Sequence, residues 1–310
     1  MPASHSQWTA QPDPALAELL HSLGLRPRRW EVVASDASVR RFYRVFLPSG
    51  SVVLMLYPPD AAAVVGHHAA VFRWAWAHAL PVPKLLAATA HALVVEDLGA
   101  RPARQLLAAD RTRAQGELIA LLAAFQKQTV SFALNPPFDA ALFERELHQF
   151  LTFAGLADGG PEVAAFCQRL ARDLASHPYR LCHRDFHLDN ILWHDSGLKV
   201  VDFQDMRLGP DTYDVASLLR ERGGSSLLPP SLAEAAARAL GWEGGWRERF
   251  LACAAQRGLK ALGTFLKLAH EGRREYLRLV PEVASQARAA VEALGGPRQL
   301  TACLGNLAGG

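Results

Sequence analysis

The chain has 310 residues, half of them hydrophobic and a fifth charged, which excludes a disordered protein and fits one large two-lobed domain or two domains. Its 33 basic and 30 acidic residues leave a formal net charge of +3, too even to hold nucleic acid through bulk charge. Four cysteines far apart, without a C-x-x-C pair, argue against a zinc site or disulfide scaffold. With no leader-like start and no apolar run near the ~20 residues of a membrane span, a cytoplasmic protein is expected.

Proline at the start and Gly24 near the end mark a short helix over 14–24. From Trp30 the period changes to two, and Val-, Phe- and Tyr-rich runs predict strands near 30–34, 40–47 and 51–57, separated by the turns SDAS and PSG. Residues 61–79 predict a helix, and AHALVVEDLG at 90–99 contains a further strand. Beyond that the pattern is helical, with helices expected near 102–128, 139–154, 161–176, 211–221, 231–240, 244–270 and 281–294. One β-rich interruption stands at 180–205, and the closing GNLAGG is expected to fray. Strands early and helices late predict an α+β protein: a strand-rich lobe with a leading helix over 1–97, and a helical lobe carrying the interruption over 98–310.

The interruption reads His183-Arg184-Asp185, four residues, then Asn190; an apolar strand follows and ends in Asp202-Phe203. This resembles the H-R-D-x-x-x-x-N plus D-F pattern of a kinase catalytic core. Phosphoryl transfer needs a carboxylate to accept a hydroxyl proton, and a second carboxylate with an amide oxygen to hold magnesium against ATP phosphates. Asp185 suits the first role, Asn190 and Asp202 the second. Two hairpin strands, ILW and LKVV with HDSG between, would bring Asn190 and Asp202 side by side, and hard oxygen ligands in small number suit Mg2+.

His187 turns the loop into H-R-D-F-H-x-x-N, which resembles aminoglycoside-phosphotransferase-like small-molecule kinases. Downstream, DFQDMRLGPDTYDVASLLR resembles bacterial anomeric sugar kinases that act on N-acetylmuramate and N-acetylglucosamine in peptidoglycan recycling. SDASVRRFYRV at 35–45, VVEDLG at 94–99, RELHQF at 145–150 and QRGLKALGTFLKL at 256–268 resemble the same group, so the likeness spans about 28–290. It implies a protein-kinase-like two-lobed fold, with Asp185 as catalytic base and Asn190 and Asp202 as metal ligands. It further implies that His183 and Arg184 hold the loop, that His187 lies near the metal or phosphate end, and that Asp214 braces the loop from below. Glu96, Asp97 and Leu98 resemble the hinge whose main chain pairs with adenine.

Two departures stand out. The lysine of the third strand and the glutamate of the next helix, which grip the α- and β-phosphates in kinases, are both missing: Met55 holds the strand position, the first lysine is Lys84, and 61–79 has no acid. Nor is there a G-x-G-x-x-G; Ser35 and Ser38 of SDAS offer hydroxyls and main-chain N–H groups instead. Among the strand arginines, Arg40 and Arg44 share a face and Arg41 points away. Arg44 is the first choice for a phosphate contact.

The acceptor is expected to be a small molecule, not a nucleic acid or membrane. Arg220, Arg222, Arg257, Lys260 and Lys267, on the helical segments expected to wall its site, favour a neutral or anionic acceptor over a polycation. Asp205, Tyr213 and Arg257 are the candidate acceptor contacts, with Trp242, Trp246, Tyr213 and Phe265 as possible aromatic platforms. The sequence thus points to an ATP- and Mg2+-dependent kinase making a sugar 1-phosphate. Two alternatives stay open: phosphorylation of another small alcohol such as an aminoglycoside, and a nucleotide-binding pseudokinase, against which the intact Asp185, Asn190 and Asp202 argue.

Overall fold

The computed structural model describes residues 14–33, 40–130, 135–220 and 224–309, so Ser35, Ser38 and Arg222 lie outside the described residues. It divides into two compact units, Met1–Ala100 and Arg101–Gly310; the sequence alone put the division after Asp97.

The first unit opens with α1 (Pro14–Ser22) and continues through β1 (Arg29–Val33), β2 (Arg41–Leu47), β3 (Gly50–Leu56), α2 (Ala62–Ala77), β4 (Leu85–Ala88) and β5 (Ala92–Glu96). The strands form one antiparallel sheet in the order β1-β2-β3-β5-β4. Strand period sets the core: Val45, Val52, Leu54, Ala92 and Val94 gather on one face with Leu20 of α1. The edge strand β4 was not expected from sequence, because its four Leu and Ala residues lack β-branching; a register irregularity between Leu85 and Ala87 marks its short pairing.

The second unit contains α3 (Ala103–Ala109), α4 (Arg111–Gln126), α5 (Ala140–Phe153), α6 (Gly160–Ser176), β6 (Tyr179–Cys182), β7 (Ile191–His194), β8 (Gly197–Val200), β9 (Arg207–Pro210), α7 (Tyr213–Arg220), α8 (Gly224–Leu227), α9 (Ser231–Leu240), α10 (Trp246–His270), α11 (Val280–Ala293) and α12 (Arg298–Gly309). The single helix expected over 102–128 is two. Asp110 breaks it by taking an extended conformation (φ −150°, ψ 90°) and capping α4, its carboxylate accepting the Arg113 N–H at 3.0 Å. The expected fraying at the end is likewise corrected, since α12 runs to Gly309 with Leu300 and Leu304 fully buried.

α10 is the central element, buried almost continuously from Ala252 to Leu259. Two glycines let it sit close to its neighbours: a Cβ at Gly258 would lie 2.7 Å from that of Ala287 on α11, and one at Gly263 would lie 2.8 Å from the Phe150 nitrogen on α5. All four cysteines are free thiols in this unit, three buried and Cys303 half-buried. Burial raises the thiol of Cys167 to about 11, and those of Cys182, Cys253 and Cys303 are raised too, burial again the main cause. Among the described residues no helix is long and apolar enough to cross a membrane.

Candidate active site

The site is built on two short antiparallel pairs. β6 pairs with β9, and the chain leaving β6 at Cys182 runs directly into His183-Arg184-Asp185. β7 and β8 form a hairpin in register Ile191↔Val200. Asn190 stands just before β7 and Asp202 two residues after β8, with the Val201 N–H donating to the Asn190 carbonyl at 2.9 Å. The hairpin read from sequence therefore sets Asn190 and Asp202 at the same open end. Arg184 (φ 85°) and Asp202 (φ 61°) adopt the left-handed conformation, a strained choice for non-glycine residues that clusters at functional sites.

Asp214, at the start of α7 and 1 % exposed, accepts the main-chain N–H groups of both His183 (2.7 Å) and Arg184 (3.0 Å), one on each oxygen. Burial raises its pKa, opposed by His183 and those two hydrogen bonds. His183 is fully buried, its Nε2 2.9 Å from the Val201 carbonyl, its ring edge-on to Phe125 and Phe186. One histidine thus ties the loop to the hairpin. The Arg184 guanidinium donates to Glu146 of α5 at 2.9 Å, and the other Glu146 oxygen accepts from Gln256 at 2.6 Å.

Asp185 has two dissimilar oxygens. Oδ1 receives the Arg257 guanidinium at 3.2 Å and the Lys260 ammonium at 3.0 Å, both from α10, where a three-residue step keeps them on one face. Oδ2 accepts no hydrogen bond from the described residues, and the side chain is 35 % exposed. Burial pushes the Asp185 carboxyl up, but Lys260, Arg257, Arg184 and His187 together outweigh it and hold the group well below its ordinary range. The result is a fixed carboxylate with one free oxygen.

The Asn190 amide donates to the Asp185 carbonyl at 2.9 Å and lies 3.5 Å from His187 Nε2, and no donor to its oxygen occurs among the described residues. Asp202 is exposed and accepts from the Gln204 amide at 2.7 Å. No group of three or more His, Cys, Asp and Glu suited to a metal occurs among the described residues. One carboxylate plus one amide oxygen is nevertheless the sparse, hard donor set that suits Mg2+, which keeps water and phosphate oxygens as its remaining ligands. The residues present fit that ion.

Several expectations need correction. Arg257 is 1 % exposed, and besides Asp185 its guanidinium donates to the Arg184 carbonyl (2.7 Å), Tyr213 Oη (3.1 Å) and Ser217 Oγ (3.2 Å). Tyr213 is fully buried against Phe138 and Phe143. Both are buried, against the expectation of acceptor contacts: Arg257 braces the His183–Asp185 loop, and Tyr213 braces Arg257. Phe265 is likewise buried, beside Tyr276, and the Trp242 indole donates to Gln126. Asp205 is half-buried, and its carbonyl accepts from Arg207 at 3.3 Å.

A further correction lies in the first unit. Arg44, expected at phosphate, is clamped on Asp97 (Nε to Oδ2 2.7 Å, Nη2 to Oδ1 3.1 Å) and on the Gly99 carbonyl at 2.9 Å. Asp97 also accepts from the Ser51 hydroxyl and the Gly99 N–H. Burial opposes ionisation of Asp97, but Arg44, Ser51 and Gly99 lower its pKa overall. Arg44 is therefore engaged in bracing the turn that follows β5. The Glu96 N–H is taken by the Lys84 carbonyl at 2.8 Å, whereas those of Asp97 and Leu98 have no acceptor among the described residues.

Met55 is 5 % exposed and sits opposite Phe42 and Leu93, so its strand position is packed and apolar. The tie between the third strand and the following helix is made two residues on, by Tyr57 Oη and His68 Nδ1 at 2.8 Å. Glu146, Gln256 and Ser217 were missed as site residues. A signal existed for all three, since they fall within RELHQF, QRGLKALGTFLKL and DFQDMRLGPDTYDVASLLR, segments that resemble the sugar-kinase group.

A model of the APH phosphotransferase enzyme family matches residues 29–251. The N-acetylmuramate/N-acetylglucosamine kinase of Pseudomonas aeruginosa is 30 % identical over 299 residues, covering 87 % of this chain and 86 % of that one. Its namesake in Pseudomonas putida is 27 % identical over 278 residues, covering 80 % and 79 %. Among solved structures, spectinomycin phosphotransferase APH(9)-Ia with ADP and spectinomycin has a TM-score of 0.63 at 11 % identity, covering 96 % of this chain and 99 % of that one. Macrolide 2'-phosphotransferase MphH from Brachybacterium faecium has a TM-score of 0.60 at 18 % identity, covering 92 % and 99 %. The fold is accordingly protein-kinase-like, with a small antiparallel-sheet unit and a larger helical one.

Proposed function

The chain belongs to the APH family of phosphotransferase enzymes, and from that premise we propose that it is an ATP-dependent sugar kinase that phosphorylates the anomeric hydroxyl of N-acetylmuramate or N-acetylglucosamine. The observation that carries the chemistry is the division of Asp185: one oxygen saturated by two cations, the other open. A hydroxyl donating to the open oxygen is oriented by it, and its proton passes there as the oxygen attacks the γ-phosphorus. The bond from that phosphorus to the bridging oxygen breaks, and ADP leaves with the electron pair. A carboxylate held so firmly ionised is a weak base. It suits an acidic hydroxyl, and a hemiacetal hydroxyl is more acidic than an ordinary alcohol because the ring oxygen withdraws electrons.

Asn190 and Asp202 would hold Mg2+, which when bound neutralises the charge of the β- and γ-phosphates. The open N–H groups of Asp97 and Leu98 would receive adenine. The choice of acceptor rests on the names of the curated relatives, and with it a role in reusing cell-wall sugars in the cytoplasm, where ATP is available.

The test is a panel of N-acetylmuramate, N-acetylglucosamine, N-acetylgalactosamine, an aminoglycoside and choline, with ADP release measured and the phosphorylated carbon of any product located by NMR. Phosphate on C1 of an amino sugar is expected. Turnover of the aminoglycoside or choline alone, or phosphate on another sugar carbon, would refute the reading.

A further inference from the structure

Two cations share one oxygen of Asp185, and they are not equivalent. Arg257 is locked: its side chain is 2 % exposed and its guanidinium meets the Arg184 carbonyl, Tyr213, Ser217 and Asp185. That contact pairs Asp185 Oδ1 with a fixed cation and sets its direction. The Lys260 side chain is 16 % exposed, and its ammonium makes one hydrogen bond, to Asp185 Oδ1. An ammonium has three N–H groups, so two have no protein acceptor among the described residues. A second cation one helical turn from the first, on an oxygen already paired, adds repulsion between the two cations, although Lys260 also helps hold Asp185 and Glu146 ionised.

We propose that Lys260 is a catalytic residue whose ammonium contacts the transferring phosphoryl group. This deepens the kinase reading above and rests on it. As the acceptor oxygen bonds the γ-phosphorus and its proton moves to Asp185, the carboxylate loses its charge and with it the attraction that holds Lys260. At the same moment negative charge on the phosphoryl oxygens has to be stabilised while the bond to the bridging oxygen of ADP breaks. An ammonium beside the accepting carboxylate, with spare N–H groups, is placed to turn from one anion to the other. The large unit thereby supplies a cation to a reaction for which the third strand, with Met55 packed at the usual lysine position, supplies none at that register.

The test uses the full-length enzyme, and ADP affinity is measured by calorimetry beside activity. K260M is expected to lower kcat with amino sugar by about 10²-fold while the dissociation constant of ADP and the KM of the sugar stay within about threefold of wild type. It should lower the slow hydrolysis of ATP without acceptor by a similar factor, because water also receives the phosphoryl group. In a D185A background, K260M should still cost about tenfold or more in that hydrolysis. K260R keeps the charge, and so the fold should K260M fail to fold; it is expected to lose about tenfold in both reactions.

Three results would overturn the proposal: turnover of K260M or K260R within about threefold of wild type, no further loss from K260M in D185A, or a raised sugar KM with acceptor-free hydrolysis intact. The second makes Lys260 only a counter-ion of Asp185; the third makes it a sugar contact. Should wild type phosphorylate no amino sugar, the substrate reading fails, and the hydrolysis measurements still decide the role of Lys260.

Discussion

At the scale of the residue, the site separates groups that act from groups that hold. Asp185 acts. Replacing it with alanine should lower turnover at least about 10²-fold, as loss of a positioned base does, with ADP affinity unchanged by calorimetry. Asp214 holds. Its two oxygens each accept a main-chain N–H of the catalytic loop, and an asparagine there would turn its own N–H2 against one of them. Asp214→Asn is therefore expected to cost roughly 2–3 kcal/mol in urea unfolding and to lower kcat as the loop loosens. Arg44 holds too. Arg44→Ala leaves Asp97, 5 % exposed, without its cation. It should lower stability by about 3 kcal/mol, with any change in ATP KM following from a displaced hinge and not from a lost phosphate contact. An undiminished urea midpoint together with a raised ATP KM would return Arg44 to the phosphates.

These residues also show what a sequence discloses. Asp185, Asn190 and Asp202 were legible because a short loop and a two-strand hairpin fix their mutual placement within twenty residues of chain. Tyr213 and Arg257 were misread as acceptor contacts for the opposite reason. Their burial depends on how α5, α7 and α10 meet, and a polar residue in a helix carries no mark of whether it faces solvent or a carboxylate inside.

At the scale of the element, α10 is the part on which the site depends most. α10 carries Arg257 and Lys260 to Asp185 and approaches α5 closely at Gly263. A methyl group there would meet the main chain of Phe150, which cannot rotate aside. Gly263→Ala is expected to push α10 outward, destabilising by about 1–3 kcal/mol and lowering kcat more than tenfold, because Lys260 recedes from Asp185. Full activity would mean that α10 can shift along its axis without moving those side chains. The long amphipathic helices were readable from their period, as were β2, β3 and β5. The break at Asp110 and the edge strand β4 were not. A capping aspartate inside an otherwise continuous helical pattern looks like a surface acid, and four Leu and Ala residues look like a connector until a neighbouring strand pairs with them.

At the scale of the whole molecule, the three carboxylates with lowered pKa values that are shielded from solvent set the acid limit. Asp97, Glu146 and Asp185 are pushed up by burial but held below their ordinary range on balance, by Arg44, by Lys260 with Arg184, and by Lys260 with Arg257 respectively. Each binds its proton less readily folded than unfolded. Its contribution is complete above the unfolded value near pH 4 and is lost as pH falls through the folded one. Asp214, raised, runs the other way: its contribution is lost as pH rises from the unfolded value through the folded one. With three groups against one, unfolding free energy is expected to drop as pH falls below about 4. A flat profile from pH 5 to 3 by thermal denaturation would contradict the pairing of these groups.

The cysteines give the protein a reporter of its own. All four thiols belong to the larger unit, and the smaller one has none. Shielded and held in the unreactive protonated form, Cys167, Cys182 and Cys253 should react with an alkylating or disulfide reagent only when that unit opens. The rate of labelling at each site, read by mass spectrometry against denaturant, then measures the opening of the helical unit without any engineered label. A melting of the sheet unit alone would leave those rates unchanged. Cys182 adjoins His183 in sequence, so its labelling follows the catalytic loop itself, and a ligand that closes the site should slow it ahead of the others.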